Sequence, residues 1–234
     1  KYVVVSIFVN PKQFAPNEDF NSYPRTVNQD IEKLLKLDID VLFMPTEEEL
    51  YNDNYQDIDY HNNLFNILEG TSRPNFFKGV TTIVAKLFNI ILPTHAFFGA
   101  KDAQQLLIIK KMVIDLAYDV KIIECPIIRE ANGLAMSSRN EYLSSEEKNI
   151  ASNIYKALKV GKELIHSGET NVKIIRKEII NYISSQNMVQ IDYVSVADAE
   201  TLMELSEISC KKILVSIAVF IGKTRLIDNF TYYN

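Results

Sequence analysis

The sequence has few cysteines and no long hydrophobic run. Cys125 and Cys210 lie in or beside apolar, strand-like segments and give neither a disulfide framework nor metal-ligand spacing, so we expect two buried, reduced thiols. No apolar run reaches the roughly 18–20 residues that span a membrane, and no segment resembles a signal peptide. We therefore expect a cytoplasmic protein with no membrane partner.

A basic surplus is also missing. The 25 lysines and arginines are outnumbered by 30 aspartates and glutamates, which gives a net charge of -5. This balance argues against a nucleic-acid partner, although it does not exclude a small anionic ligand, whose binding depends on local cations. The 234 residues, of which 47% are apolar, are enough for one large or two modest domains.

Strand-like and helical patterns alternate through the first half of the chain. The strand-like runs are Val3–Val9, Asp40–Met44, His95–Phe98 and Lys121–Cys125, and the helical ones are Val27–Leu37, Lys78–Ile91 and Asp102–Ala117. This alternation predicts an α/β domain with a doubly wound parallel sheet and helices on both faces. Such sheets bind ligands at the carboxyl ends of their strands.

The pattern changes after Arg139. Ser144 to Glu147 reads as a capping box that starts a long helix ending near Ile165. A second helix over Asn171–Ile183 and strands over Ile191–Val196 and Lys211–Ile221 complete an α+β segment. We place the domain boundary near Pro126–Ile128, which divides the chain into residues 1–127 and 128–234.

Two polar clusters follow apolar runs abruptly. Gly99-Ala100-Lys101-Asp102 opens a helix, where free amides, a lysine and an aspartate suit the phosphates and ribose of a nucleotide. Met136-Ser137-Ser138-Arg139 supplies two hydroxyls and a guanidinium, which are typical donors to phosphate oxygens. Together the clusters predict a nucleoside triphosphate lying between them.

A family resemblance runs in order from Val3 to Asn229. It is carried by VSIFVNPKQF (5–14), YPRT (23–26), ILEGTSRP (67–74), FFKGVTTIVAKLFN (76–89), FFGAKDAQQL (97–106), GLAMSSRN (133–140) and RLIDN (225–229). These segments resemble the pantothenate synthetase, or pantoate–β-alanine ligase, family. The resemblance implies a Rossmann-like nucleotidyltransferase fold with a smaller α+β lid. It also implies ATP-dependent joining of pantoate to β-alanine through a pantoyl adenylate, with release of pyrophosphate and AMP.

The resemblance also implies roles for individual residues. The catalytic residues would be Lys101, Ser137, Ser138 and Arg139. ATP would contact these four residues and also Gly99, Asp102, Ile128 and Met136. Pantoate would contact Asn10, Gln13, Tyr23, Arg73 and Gln105. Asp30 is a weaker prediction as a ligand of Mg²⁺, because Asn28 and Gln29 stand where relatives carry acids. The family further implies a homodimer, with Ser6–Val9 and the helix around Asp30 at the contact.

The chain departs from the family pattern in four places. Ala100, Ala103 and Phe76 replace a glutamate, an aromatic residue and a histidine. The sequence begins at Lys1, in what would be the second strand, without the family's first strand and histidine loop. Because that strand would be central, we expect the 234-residue chain to fold poorly or to associate. Two alternatives to the ligase stay open, a related adenylyltransferase and a non-catalytic remnant that binds nucleotide.

Overall fold

The structure is a computed structural model that describes residues 2–16, 18–52, 55, 58 and 60–234, so Lys1 lies outside it. In the described part of the chain, no helix is both long and apolar enough to cross a membrane. Cys125 and Cys210 are both free thiols, but the prediction that they are buried is wrong, because each is only partly buried.

The first half of the chain alternates short strands with helices. Its elements are β1 (Val4–Ser6), α1 (Val27–Leu34), β2 (Val41–Phe43), α2 (Glu47–Leu50), α3 (Glu69–Ser72), α4 (Phe76–Ile91), β3 (His95–Gly99), α5 (Ala103–Asp115) and β4 (Lys121–Cys125). Short 3₁₀ turns connect elements along the chain, at Pro11–Gln13, Asn63–Asn66, Ala100–Asp102 and Ser138–Tyr142. Each predicted strand and helix of this half is present, although most are shorter than the sequence pattern suggests.

The short strands of this half pair in parallel, as the alternation predicts. β1 lies beside β2 in the register Val4 to Val41, and β3 lies beside β4 in the register His95 to Lys121, as two separate two-stranded sheets. The first two strands end early because β2 runs into Pro45, which has no N–H to continue a ladder. One more hydrogen bond, from the Ile7 amide to the Phe43 carbonyl, closes the pair.

Helix α4 forms the centre of the first core. Along α4, buried apolar side chains pack with Ile108, Ile109 and Met112 of α5. Gly79 of α4 lies directly on the 3₁₀ turn Pro11–Gln13, since a Cβ added there would be 2.0 Å from the Lys12 carbonyl oxygen. The glycine therefore lets the helix approach the loop that follows β1.

The second half consists of three helices and an antiparallel sheet. Its elements are α6 (Ser145–Ala151), α7 (Asn153–His166), α8 (Val172–Ser184), β5 (Val189–Asp198), β6 (Lys212–Ile221) and β7 (Thr224–Tyr233). The predicted capping box is confirmed, because Ser144 and Glu147 each accept the other's backbone amide. The predicted single helix is divided at Ser152, whose hydroxyl donates to the Asn149 carbonyl and so competes with the helical ladder.

The antiparallel sheet has the order β5-β6-β7 and carries a second core. Ten consecutive pairs join β6 to β7, from Lys212 with Tyr233 to Ile221 with Thr224. The central strand β6 is buried along most of its length, and its apolar residues pack with α7 and α8. Strand β7 was not predicted from the pattern, because Asp228 and Asn229 interrupt its apolar alternation although both are buried.

Candidate active site

A cavity of about 1160 Å³ lies between the two halves of the chain. Its walls come from α3, the Ala100–Asp102 turn, the start of α5, the Ser138–Tyr142 turn and strands β5 to β7. Six of the residues predicted for the site line it together: Arg73, Lys101, Asp102, Gln105, Ser137 and Arg139. The fold therefore brings both polar clusters and part of the predicted pantoate set to one opening.

A second cavity, of about 870 Å³, is lined by four further residues of the predicted site. Tyr23, Asp30, Met136 and Ser138 line it, and Ser137 lines both cavities. Ten of the predicted residues thus line two cavities that share Ser137, whereas Asn10, Gln13, Gly99 and Ile128 line neither.

The turn after β3 presents an open backbone. Gly99 has φ -72° and ψ 133°, an extended conformation that any residue can adopt, and no atom lies within 4 Å of a Cβ built on it. The open space beside Gly99 leaves room for a ligand against the backbone. Burial raises the pKa of the neighbouring Asp102 carboxyl and the charge of Glu69 raises it further, whereas the charge of Lys101 opposes both effects.

Arg139 is held by a carboxylate from the loop that follows the first 3₁₀ turn. Its Nε and Nη2 donate to the two carboxylate oxygens of Asp19 at 3.0 and 2.8 Å, and Tyr142 donates its hydroxyl to the same carboxylate. Burial alone would raise the pKa of the Asp19 carboxyl, but the hydrogen bonds and charge of Arg139 outweigh burial and lower the pKa. The guanidinium is therefore fixed at the cavity wall while staying charged.

Arg73 has a matching partner in the adjacent residue of the same loop. It donates through Nε and Nη2 to Glu18, both at 2.6 Å, and through Nη2 to the Gln13 carbonyl at 2.9 Å. Its guanidinium carbon also lies 3.8 Å from the centre of the Phe76 ring. Phe76, a departure from the family pattern, thus supports the arginine through a cation–π contact.

Two residues predicted to face pantoate line neither cavity. The Asn10 side chain is buried and donates to the Gly79 carbonyl at 3.1 Å, while its oxygen accepts from the Tyr51 hydroxyl at 2.8 Å. Gln13 is the last residue of the 3₁₀ turn Pro11–Gln13, which Asn10 caps at its start. Asn10 therefore holds the loop after β1 against α4, and the contact of either amide with pantoate stays a prediction.

The predicted adenine-packing pair lies on the surface of the loop before Arg139. Ile128 and Met136 are joined by a hydrogen bond from the Met136 amide to the Ile128 carbonyl at 2.9 Å. Both side chains are more than half exposed, at 62% and 56%. They form an exposed apolar surface on the segment that leads to Ser137. Such a surface suits a base better than a phosphate.

Several polar residues of the site were missed by the sequence analysis. Arg225 donates to both oxygens of Glu69 at 2.6 and 3.0 Å, and to Asp192 at 2.6 Å. Gln104 accepts from the Glu69 amide, which joins this network to α5. Glu18 and Asp19 lie between the motifs at 5–14 and 23–26, and Arg225 is the first residue of the motif at 225–229, so their positions near these motifs were a usable signal. Their roles were missed because the residues that they contact are far away in sequence.

The described residues contain no cluster of three or more His, Cys, Asp or Glu side chains that could hold a metal by themselves. Asp30 has one oxygen 3.1 Å from the Thr26 hydroxyl and the other 3.7 Å from the Lys33 ammonium. One carboxylate remains compatible with Mg²⁺, because this ion commonly binds through one or two carboxylates, water and substrate phosphates.

Comparisons with known proteins point to one family. The family model described as pantoate-beta-alanine ligase matches residues 1–231. The pantothenate synthetase of Pseudothermotoga lettingae is 50% identical over 226 residues, which are 97% of this chain and 80% of that protein. The relative of the same name from Acetivibrio thermocellus is 52% identical over 228 residues, covering 97% of this chain and 81% of the relative.

Solved structures show the same architecture. The crystal structure of the pantothenate synthetase from Thermus thermophilus matches with a TM-score of 0.94 and 38% identity, over 98% of this chain and 83% of that one. A Francisella tularensis pantoate-beta-alanine ligase, solved with beta-gamma ATP and beta-alanine, matches with a TM-score of 0.75 and 39% identity. That match covers 98% of this chain and 79% of the other. The nucleotidyltransferase fold with a C-terminal lid, as predicted, is confirmed.

Proposed function

The chain belongs to the pantoate-beta-alanine ligase family, and we propose that the two cavities meeting at Ser137 perform its two chemical steps. The family reaction joins pantoate to β-alanine at the expense of ATP. First, a pantoate carboxylate oxygen attacks the α-phosphorus, and the bond from that phosphorus to the bridging oxygen breaks to release pyrophosphate. Then the β-alanine amine attacks the acyl carbon, loses a proton and displaces AMP.

The observation that carries the proposal is the convergence of Lys101, Ser137 and Arg139 on one cavity. Negative charge moves onto the leaving pyrophosphate in the first step, so a lysine, a guanidinium and hydroxyl donors stabilise the transition state. Neither step requires a covalent enzyme intermediate. The protein instead aligns the reactants and keeps water from the acyl adenylate.

The nucleotide would lie along the open backbone of Gly99. Asp102 would accept from the ribose, while Ile128 and Met136 would pack near the base and Ser137 and Ser138 would donate to phosphate oxygens. This arrangement is supported by the space beside Gly99, the apolar exposure of the Ile128–Met136 pair and the position of Ser137 between the cavities.

Pantoate would bind at the side of the cavity formed by Arg73 and Gln105. Arg73 offers a charge and Gln105 a neutral amide, which can orient a hydroxy acid without quenching its carboxylate nucleophile. The other predicted pantoate contacts are Tyr23, which lines the second cavity, and Asn10 and Gln13, which line neither. Support is strongest for Arg73 and Gln105, since these two line the same cavity as Lys101.

Three further features extend the proposal. Asp30 would hold Mg²⁺ together with phosphate oxygens, and the ion would neutralise charge on the leaving pyrophosphate. A homodimer would bury exposed apolar side chains near β1 and α1, among them Val3, Leu35, Leu37 and Val41. Light scattering after gel filtration measures that assembly. A cytoplasmic location agrees with the two free thiols.

The test is pantoate-dependent AMP release from ATP and β-alanine with magnesium, on the purified chain and on Lys101→Ala. Removing one electrostatic stabiliser is expected to lower kcat by about 10²–10³-fold. Lys110→Ala is the matched control, because Lys110 lies on α5, pairs with Glu124 at 2.8 Å and lines neither cavity.

The outcomes separate the possible functions. AMP formed only when pantoate is present, and lost in Lys101→Ala but not in Lys110→Ala, supports the proposed site. Equal activity of both variants contradicts the role of Lys101. ATP binding without turnover would instead favour a nucleotide-binding remnant of the same fold.

A further inference from the structure

Two adjacent buried residues of β7 touch both loops that carry the predicted phosphate-binding groups. Asp228 and Asn229 are 3% and 4% exposed, which is unusual for polar residues inside a strand. Their side chains leave the strand in opposite directions, since successive residues of a strand face opposite sides. We call this pair the clasp.

The first arm of the clasp is Asn229. Its side-chain Nδ2 donates to the carbonyl oxygens of Ala100 and Lys101 at 3.0 and 2.8 Å, so both amide hydrogens are used. These carbonyls belong to the 3₁₀ turn that carries the Lys101 side chain and leads to Asp102. Because 3₁₀ hydrogen bonds are individually poor, a turn of three residues gains much of its order from outside contacts of this kind.

The second arm is Asp228. It accepts from Nη1 and Nη2 of Arg129 at 2.6 and 2.9 Å, in a bidentate pair whose carboxylate side chain is only 2% exposed. Arg129 also donates to the Gly133 carbonyl at 3.1 Å, and its guanidinium lies 4.0 Å from the centre of the Tyr155 ring. The arginine is thus fixed on three sides.

Arg129 in turn holds the loop that ends in the second polar cluster. It forms an antiparallel bridge with Ala135, the residue before Met136, and Met136 bonds to Ile128 on the other side of the turn. Asn140 reinforces this turn by donating to Glu130 and to the Ala135 carbonyl. The backbone leading to Ser137 therefore takes its position from Arg129 and, through it, from Asp228.

The two arms are joined within the strand. The Asn229 backbone N–H donates to the Asp228 carboxylate at 2.8 Å. The same carboxylate therefore accepts from the backbone of Asn229 and from the guanidinium of Arg129. We propose that Asp228 and Asn229 are positioning residues that set the separation between Lys101 and the Ser137–Arg139 loop. This inference rests on the proposed function of those two groups.

The clasp also implies that the antiparallel sheet β5-β6-β7 can position catalytic residues without contacting ATP itself. Both residues lie on β7, which is held to the central strand by continuous pairing, including Ser216 with Asn229 and Ile217 with Asp228. A rigid strand fixes its side chains more closely than a loop does. The short, half-buried turn after β3 would therefore be aligned by the sheet rather than by its own half of the chain.

The decisive measurement is a double-mutant cycle on the affinity for a non-hydrolysable ATP analogue, measured by titration calorimetry. The proteins are the unaltered chain, Asn229→Ala, Lys101→Ala and the double variant. Loss of the two buried hydrogen bonds is expected to weaken binding about tenfold in the unaltered background. In the Lys101→Ala background the same change is expected to cost less than about twofold, because coupled residues are not additive.

Asn153→Ala is the matched control. Asn153 also donates its side-chain amide to two backbone carbonyls, those of Asn149 and Ile150, but it begins α7 and lines neither cavity. Its substitution removes the same kind of contact, so it is expected to leave the affinity for the analogue unchanged. Where Asn229→Ala does not fold, Asn229→Ser retains one donor and is expected to give a smaller loss with the same non-additivity.

The second arm has a different signature. Asp228→Asn retains the shape of the side chain but removes the charge that holds Arg129, so we expect weaker analogue binding. This loss is expected to be nearly additive with Lys101→Ala, since it acts on the opposite side of the ligand. An Asn229→Ala loss of equal size in both backgrounds, or no loss at all, would overturn the inference.

The failure of the proposed function leaves another pattern. If Lys101→Ala binds the analogue as tightly as the unaltered chain and turns over at the same rate, then Lys101 does not take part in binding or catalysis. In that case the proposed function of Lys101 fails, and the clasp has no catalytic lysine to position. A lowered affinity in Lys101→Ala without coupling to Asn229 retains the site and rejects the clasp alone.

Discussion

The two halves of this chain divide stability and chemistry between them. No residue of β1 to β4 is buried, whereas β6 has eight buried positions and packs between helices and its neighbouring strands. Yet the residues predicted to bind ligands lie in the first half and on the Ile128–Arg139 loop that follows β4. From β7, Arg225 and Asn229 contact the first half, and Asp228 contacts Arg129 at the start of that loop.

This contrast shows how loops that carry predicted catalytic residues can be ordered by an antiparallel sheet, β5 to β7, that carries none of them. Short parallel strands gain limited order from their own ladders, and loops at their ends are the most mobile part of such domains. Ion pairs and hydrogen bonds from a rigid antiparallel sheet compensate for this. Substitutions that separate the two halves should therefore affect both properties in measurable and different ways.

The contact expected to matter most is Arg225 with Glu69. Replacing Arg225 with Met leaves a carboxylate that is only 7% exposed without its cationic partner, which is expected to cost about 3–5 kcal/mol of unfolding free energy. Urea denaturation measures the loss. Lys159→Met serves as a control, because Lys159 is an exposed lysine on α7. An Arg225→Met chain as stable as the unaltered protein would contradict a stabilising link between the halves.

The second prediction compares the cores. Ile217→Ala on β6 removes a side chain with no solvent exposure and is expected to cost about 2–5 kcal/mol. Ile122→Ala on β4 truncates a half-buried side chain, so we expect about half that loss or less. Chemical denaturation of both variants measures the difference, and hydrogen exchange should report slower amide exchange in β6 than in β4. Equal losses would contradict the division of stability.

The third prediction concerns two glycines with opposite surroundings. A Cβ on Gly79 would meet the Lys12 backbone at 2.0 Å, so Gly79→Ala must push α4 away from the loop after β1 and is expected to cost about 1–3 kcal/mol. A Cβ on Gly99 meets nothing within 4 Å, and the backbone there is extended. Gly99→Ala should retain its melting temperature while weakening ATP binding, because the methyl group occupies the space left for the ligand.

A Gly99→Ala chain with unchanged ATP affinity would argue against close approach of the nucleotide to this turn. A Gly79→Ala chain with unchanged stability would show that the contact between α4 and the loop is easily rearranged. Calorimetric melting and analogue titration on the same samples separate these two results.

The smallest expected effect is the pH dependence of the Asp19–Arg139 pair. Both side chains are partly exposed, at 22% and 27%, so the pair is expected to contribute less than about 1 kcal/mol. Because the folded chain lowers the Asp19 pKa below its ordinary value of 3.8, this contribution is present above pH 3.8 and is lost as the pH falls through the lowered pKa.

The corresponding measurement is the unfolding free energy of the unaltered chain and of Asp19→Asn from neutral pH down to pH values below 3.8. The stability difference between them should shrink on acidification. A difference that grows as the pH falls would have the wrong sign and would contradict the assigned cause of the shift.

Local patterns in the sequence were sufficient for much of the fold. The Ser144–Glu147 capping box, the helical spacing of α4 and α5 and the strand-like runs before Gly99 and Pro126 each depend on neighbours within a few residues. Strand β7 escaped this reasoning because Asp228 and Asn229 are buried by partners about a hundred residues away. In the sequence alone, two adjacent polar residues indicate a loop, because the distant residues that bury them cannot be recognised there.

The candidate site divides in the same way. Residue types near Gly99 and Met136 by themselves predict a phosphorylated ligand, since a lysine, hydroxyls and a guanidinium suit phosphate oxygens. Only the tertiary structure decided that Glu18 and Asp19 hold Arg73 and Arg139, that Asn10 is committed to Gly79, and that β7 touches both loops. Chemical type is a property of each side chain alone, whereas position depends on contacts between residues that only folding brings together.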